Sequence, residues 1–303
     1  MSGRGTADLV VVTGPHRSGT TFVGTVLAAA PRADLLGIEP LNPDWGLRSA
    51  RQWYAPTGTV ARDLRRLRRG LPARWSRAHH DRFGTAKSTV RGAQHNLRFA
   101  AAAATGRTLV VKDPFLSLSL RWAATELTRR PVLVTVRHPS AWALSIRRMD
   151  WHPGTLLDEL RTRSELCPVL TTTGLPERRW ADVPLLEASA WAWTVLVAAI
   201  VDQTERLSPG QVLISPLERL REDPVAGAMQ LLRHVGLDAD DGTRDRILAL
   251  TAGEEVFPSS GDQHVLQRDT RRSLDAWRER LTAEEQRTVW SICESVAQRW
   301  YQP

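Results

Sequence analysis

The segment LVVVTGPHRSGTT, Leu9 to Thr21, constrains the chain more than any other. An uninterrupted β-branched run passes straight into a loop bounded by Gly14 and Gly19, and that loop opens a helix-compatible stretch, TTFVGTVLAAA. A strand, a glycine turn and a helix start bring several backbone N–H groups to one point with a helix dipole behind them. This is an anion site suited to phosphate. The spacing is that of the phosphate loop G-x-x-x-x-G-K-[ST], but Thr20 stands where the lysine belongs, and the loop carries an arginine at Arg17.

Four further runs read as buried strands: Leu35–Ile38, Thr108–Lys112, Val132–Val136 and Gln211–Ser215. Apolar strands alternating with helix-compatible segments predict an α/β fold, a parallel β-sheet flanked by helices on both faces, of the P-loop nucleotide-kinase type. Ligands of such sheets bind beyond the carboxyl ends of the strands. Four of the five runs lead at once into the tetrads GPHR, EPLN, DPFL and RHPS. The expectation is one domain over residues 1–303, with insertions at about 46–107 and 150–187 that serve as acceptor or lid regions. Within the first, Ala61 to Arg82 carries eight arginines and reads as helix, turn, helix, broken at Gly70 and Pro72. It is either a solvated face or a basic lid. The second, with Pro153, Pro168, Pro176 and Pro184, reads as irregular.

The net charge is +8, nearly all of the positive charge being arginine. Arginine gathers around phosphate and sulfate because its guanidinium binds them in bidentate fashion; biased codon usage is the plainer explanation. No zinc-finger spacing or RNA-binding strand motif occurs, so no nucleic-acid partner is expected. Two cysteines far apart, Cys167 and Cys293, read as reduced thiols of a cytoplasmic protein, and MSGRGTADL does not read as an export signal. The apolar run Ala188–Val201 is short for a bilayer, so a buried helix is expected and no membrane span.

Thr20 cannot reach a β- or γ-phosphate as the kinase lysine does, although Asp113, at a strand end, has the chemistry to help hold Mg²⁺. A P-loop kinase of a small molecule therefore stays open, as does a non-catalytic nucleotide- or polyanion-binding module. The order Arg17-Ser18-Gly19-Thr20-Thr21, followed by Phe22, resembles the 5′-phosphosulfate loop of sulfotransferases that use 3′-phosphoadenosine 5′-phosphosulfate (PAPS), in which Lys or Arg directly precedes S-G-T. The segment VTVRHPSAWALSI, with Arg137 and Ser145 eight residues apart, looks like that family's 3′-phosphate motif. The segments Ser215–Leu237 and Ser273–Cys293 are similar to its later ones, so the likeness runs through most of the chain outside the two insertions.

That resemblance implies PAPS as donor, adenosine 3′,5′-bisphosphate (PAP) as product and no metal. It assigns donor binding to Pro15, His16, Arg17, Ser18, Gly19, Thr20, Thr21, Arg137 and Ser145. Arg271 and Arg272 join them by position, although QRDTRRS lacks the family's glycines. For chemistry, Lys112 ends the third strand, and Pro114 stands where aryl-type members carry a histidine base. A carboxylate is needed instead. Glu39, in GIEPLNPDW, looks like the E-P glutamate of carbohydrate-type members and leads as general base, with a site expected to raise its pKa towards neutrality. Asp113 is the second candidate and His16 the third. The catalytic set is Glu39, Arg17, Lys112 and Asp113, and the acceptor is a hydroxyl of a carbohydrate, glycosylated or other small molecule. Trp142 is either a ligand platform or core; Trp191 and Trp193 read as core.

Overall fold

A computed structural model describes residues 5–50, 58–76, 85–149, 151–251 and 270–303; the side chains of 85–88, 221–222 and 270–274 fall outside that description. The five expected strands are present as β1 (Asp8–Thr13), β2 (Ala33–Leu36), β3 (Thr108–Lys112), β4 (Val132–Val136) and β5 (Val212–Pro216). Every pairing is parallel and the order is β2-β3-β1-β4-β5. β1 is central. From it the chain crosses to β2, returns through β3, then passes over to β4 and β5. The loops after β1 and β4 therefore leave in opposite directions, which opens a crevice at their carboxyl ends.

Side chains alternate across the sheet as a strand requires. Leu9 and Val11 face one core, with Leu109, Val111, Val134 and Val136, while Val10 and Val12 face the other with Val110 and Leu133. The second core is covered by α1 (Thr20–Leu27) and by helices that follow β5. The insertion after β2 brings α2 (Gly58–Arg68) and α3 (Thr85–Thr105), and α4 (Pro139–Arg147) follows β4.

The insertion after α4 is helical where irregular chain was expected. It holds α5 (Gly154–Arg161) and α6 (Cys167–Thr173), and leads to α7 (Leu185–Glu205). Three of its four prolines open helices instead of breaking them, while Pro176 lies in irregular chain after α6. Pro153 and Pro184 are the N-caps of α5 and α7, and Pro168 lies in the first turn of α6, where its missing N–H is harmless.

Helix α7 is also longer than the run Ala188–Val201: by length and composition its 21 residues suffice to cross a membrane, but 67% of its apolar window is buried inside the protein. After β5 come α8 (Pro224–His234), α9 (Asp241–Thr251), α10 (Thr270–Arg280) and α11 (Ala283–Ala297); α4 and α11 pack on α7. Cys167 is exposed and Cys293 buried, and both are free thiols.

The arginine-rich stretch is helical as far as Arg68. From Leu71 to Ser76 the chain is not helical, and Trp75 pairs with Leu47 in an isolated antiparallel bridge. The carbonyl of Arg68 accepts from the Ala7 N–H at 2.6 Å, one residue before β1, and Arg65 meets Glu126 at 3.9 Å. These arginines lie by the amino end of β1, the opposite end from the glycine loop. Residues 77–82 of the stretch lie outside the described residues.

The loop after β1 presses on β4. Gly14 has φ +141°, and a Cβ there would lie 2.0 Å from the Thr135 carbonyl oxygen. Gly14→Ala combines a disfavoured conformation with a backbone clash, each costing about 1–3 kcal/mol. The expected result is a melting temperature lower by roughly 5 °C or more. Thermal unfolding at the wild-type midpoint would mean that the loop moves freely off β4.

Candidate active site

The loop Gly14–Gly19 leaves the end of β1 and enters α1 through Gly19, whose φ of +85° is left-handed. Arg17 also has a left-handed backbone, φ +67°, which is uncommon for a side chain that is not Asn or Asp. This conformation turns Arg17 across the crevice, where its Nε–H donates to Ser145 Oγ at 3.2 Å. The two motifs, 128 positions apart, meet through that bond.

The Ser18 N–H closes a turn on the Pro15 carbonyl at 3.1 Å, so it is not free to cradle a ligand as expected. The N–H groups of Thr20, Thr21 and Phe22 open α1 and have no partner within the helix. Beneath them the Ser18 hydroxyl, 0% exposed, has no hydrogen-bond partner. Trp142 is core: it is fully buried, and its indole N–H donates to the His16 carbonyl at 2.5 Å, which ties α4 to the loop.

The segments after β2 and β3 meet beside this loop. Lys112 Nζ donates to Glu39 Oε1 at 2.5 Å, and Asn42 Nδ2 donates to Glu39 Oε2 at 2.8 Å. Burial alone would raise the Glu39 pKa. The charge and hydrogen bond of Lys112, with Asn42, outweigh it and hold the carboxyl below its ordinary value. The expectation of a Glu39 raised towards neutrality is therefore corrected: the cation that accompanies it reverses the direction.

Asp113 is fully buried, and both its oxygens are taken. Oδ2 accepts from the Leu41 N–H at 2.6 Å, while Oδ1 accepts from the Phe115 N–H at 3.0 Å and caps the 3₁₀ turn Pro114–Ser119. Burial and the neighbouring Glu39 push its pKa up to about 8, against the two N–H bonds. His16 packs edge-on to Phe115 with ring centroids 4.6 Å apart. Its pKa is lowered to about 4, first by burial and then by Lys112 and Arg17, with Glu39 opposing, so the imidazole is neutral at pH 7.

Arg137 ends β4. Its carbonyl accepts from the Trp193 indole N–H at 2.9 Å, fixing it to the buried helix α7. Burial lowers its pKa to about 10, with Glu218 opposing, so it remains a cation at neutral pH. Arg271 and Arg272 lie in the first turn of α10, and their side chains are outside the described residues. Trp277 of the same helix stacks on His138, the neighbour of Arg137, at 4.3 Å.

Glu218 was missed by sequence reasoning. It lies two residues beyond β5, where it accepts from the His138 N–H at 2.9 Å and from the Tyr301 hydroxyl at 3.0 Å. Its signal was the same as for the other four strands: a charged residue just past a strand's carboxyl end. Among the described residues no three His, Cys, Asp or Glu side chains are grouped as a metal site requires.

No family model and no curated protein sequence matches the chain. Solved structures do. The sulfotransferase domain of the Synechococcus PCC 7002 olefin synthase matches with a TM-score of 0.50 at 17% identity, covering 98% of this chain and 95% of that one. A sulfotransferase domain from the curacin biosynthetic pathway matches with a TM-score of 0.50 at 15% identity, covering 99% of each chain. The chain has the sulfotransferase fold.

Within that sulfotransferase fold, the five strand ends carry Arg17, Glu39, Lys112, Arg137 and Glu218 on one edge of the sheet. Glu39 and Lys112 are directly bonded, Arg17 reaches Ser145 in the helix that follows Arg137, and Glu218 adjoins Arg137. The arrangement presents two cationic residues, Arg17 in the loop and Arg137 at the end of β4, which act on each other's charge, with the ion-paired carboxylate of Glu39 on the neighbouring strand ends.

Proposed function

We propose that the protein transfers a sulfuryl group from PAPS to a hydroxyl of a small-molecule acceptor, a carbohydrate or glycosylated compound being the leading class. The observation that carries this reading is the Arg17–Ser145 hydrogen bond. It joins a phosphate loop that lacks the kinase lysine to a second anion position at Arg137, and a nucleotide with phosphates on both its 5′ and 3′ oxygens needs two such positions.

In this reading the N–H groups opening α1, with Arg17, hold the 5′-phosphate, and Arg137 with Ser145 holds the 3′-phosphate. The acceptor oxygen attacks sulfur in line with the departing phosphate oxygen. The S–O bond to that phosphate breaks as the new S–O bond forms, and the acceptor's proton passes to Glu39. Charge gathering on the transferred group and the departing oxygen is met by Lys112 and Arg17. Lys112, drawn towards that charge, loosens its hold on Glu39 and leaves the carboxylate more basic as the proton arrives. Asp113, both oxygens engaged by backbone, serves as the clamp that joins the Glu39 segment to β3. A neutral His16 with so low a pKa contributes packing and no useful basicity.

The direct test is incubation with PAPS labelled at sulfur and a panel of glycans, glycosylated metabolites and phenols. The expected result is label in a glycan or glycosylated acceptor with release of PAP. Transfer from ATP and Mg²⁺ instead would replace this reading with a kinase. PAP bound stoichiometrically with no transfer across the panel would reduce the protein to a binding module.

A further inference from the structure

Resting on the reading of Glu39 as the base, we propose that Asn42 is its positioning residue. The Asn42 amide keeps Oε2 of the carboxylate in place while Lys112 shifts away, so that Oε1 receives the acceptor's proton. Each Glu39 oxygen has one side-chain donor, Lys112 Nζ on Oε1 at 2.5 Å and Asn42 Nδ2 on Oε2 at 2.8 Å. The Lys112 bond is the one that loosens as charge gathers on the transferred group. A carboxylate with no other hold would then turn about its own side chain, and a general base must stay within hydrogen-bond reach of the proton it takes. The Asn42 bond is independent of that charge. It also suits both states of the carboxyl group. The acceptor's O–H bond breaks, the new O–H forms on Oε1, and Oε2 still accepts from the amide.

The amide is itself held by the turn that carries it. The Asn42 N–H donates to the Glu39 carbonyl at 3.1 Å, closing a turn with Pro40 in its second position, a place that proline favours. That turn sets the side chains of residues 39 and 42 beside each other. The Asn42 carbonyl accepts from the Gly46 N–H at 2.8 Å, and the intervening Leu41 N–H is clamped by Asp113 Oδ2 at 2.6 Å. Asn42 is buried, and its Oδ1 accepts from the Asp44 N–H at 3.0 Å, so the donor end of the amide is the end turned to Glu39. Asn42 thus does two separable things: its oxygen builds the turn and its nitrogen holds the base.

Asn42→Asp separates them, because the new carboxylate still accepts from the Asp44 N–H but offers Glu39 no donor; Asn42→Ala removes both. The ionisable groups facing Glu39 are Lys112 and Asp113 at the end of β3 and His16 in the glycine loop, and both variants leave them in place. The Glu39 carboxyl is titrated by carbon NMR on glutamate-labelled protein, its signal assigned by its loss in Glu39→Gln. Transfer of label from PAPS to the same acceptor panel is followed against pH. The Asn42 bond lowers the Glu39 pKa, so its removal raises it. Both variants are expected to raise that pKa by about one unit, as for loss of a hydrogen bond to a charged group. The acid limb of transfer moves up with it, transfer on the plateau falls about tenfold, and adenosine 3′,5′-bisphosphate affinity stays within about threefold. Asn42→Asp with the wild-type titration and full transfer would mean that Asn42 only builds the turn, and overturns the inference. So does a raised pKa with an undiminished plateau, or a bisphosphate affinity that falls as far as transfer does. Glu39→Gln that transfers label at the wild-type rate would instead overturn Glu39 as base, whatever the titrations show, and this inference with it.

Discussion

Arg137→Ala and Arg17→Ala are each expected to weaken adenosine 3′,5′-bisphosphate about 100-fold, enough to abolish its protection of the protein against heating at ordinary concentrations. Each arginine offers charge-assisted hydrogen bonds, and losing one from a buried phosphate costs about 2–3 kcal/mol, where 1.4 kcal/mol is tenfold. The two substitutions differ in what they remove. Arg137→Ala should flatten the preference for the bisphosphate over adenosine 5′-monophosphate, because it strips only the 3′ position. Arg17→Ala should weaken both nucleotides, because the loop position is common to them. If ATP protects as well as the bisphosphate in wild type, the two-anion reading is wrong. Thermal shift and calorimetry together read both effects.

Glu39→Gln is expected to lower kcat about 10²–10⁴-fold, the usual contribution of general base catalysis, and to leave bisphosphate affinity within about threefold. Gln keeps the shape and the Asn42 contact and loses the negative charge. The pH profile carries the same assignment. Burial raises the Glu39 pKa, but Lys112 and Asn42 lower it by more, so the folded value lies beneath the ordinary glutamate value. The base is ionised above that value, and activity is expected to fall only as pH drops through it, below the ordinary glutamate range. An acid limb centred near neutrality would point to a different base. A fully active Glu39→Gln enzyme would remove Glu39 from the mechanism. The substitution also leaves Lys112 buried without its counter-ion, so a lower melting temperature is expected alongside.

The strands were readable because each is an apolar run in a sheet buried on both faces, where period and composition carry the same message. Thr108–Lys112 and Val132–Val136 keep the bounds expected of them, and the other three shift by one or two residues. The tetrads after them could be read because parallel topology puts every strand's carboxyl end on one edge. What sequence could not convey was direction. The pairing of Lys112 with Glu39 reverses the expected pKa shift, and nothing in V-V-K-D-P or G-I-E-P says that those side chains touch. Asp113 looked like a base because it ends a strand, but its oxygens are consumed by Leu41 and Phe115, a local turn invisible to spacing. Prolines at 153, 168 and 184 read as breakers because a lone proline signal does not separate a helix start from a helix end. Glu218 and Tyr301, 83 positions apart, could be joined only by the fold.

The bond from Trp193 to the Arg137 carbonyl has a mechanical consequence. Helix α7 is a largely buried, apolar helix and the floor on which α4 and α11 rest, so the group at the end of β4 is moored to the protein's interior. Whatever Arg137 grips pulls on that floor. In the proposed reading, a nucleotide held there is braced against that floor through the Trp193 bond, and not by the crevice alone.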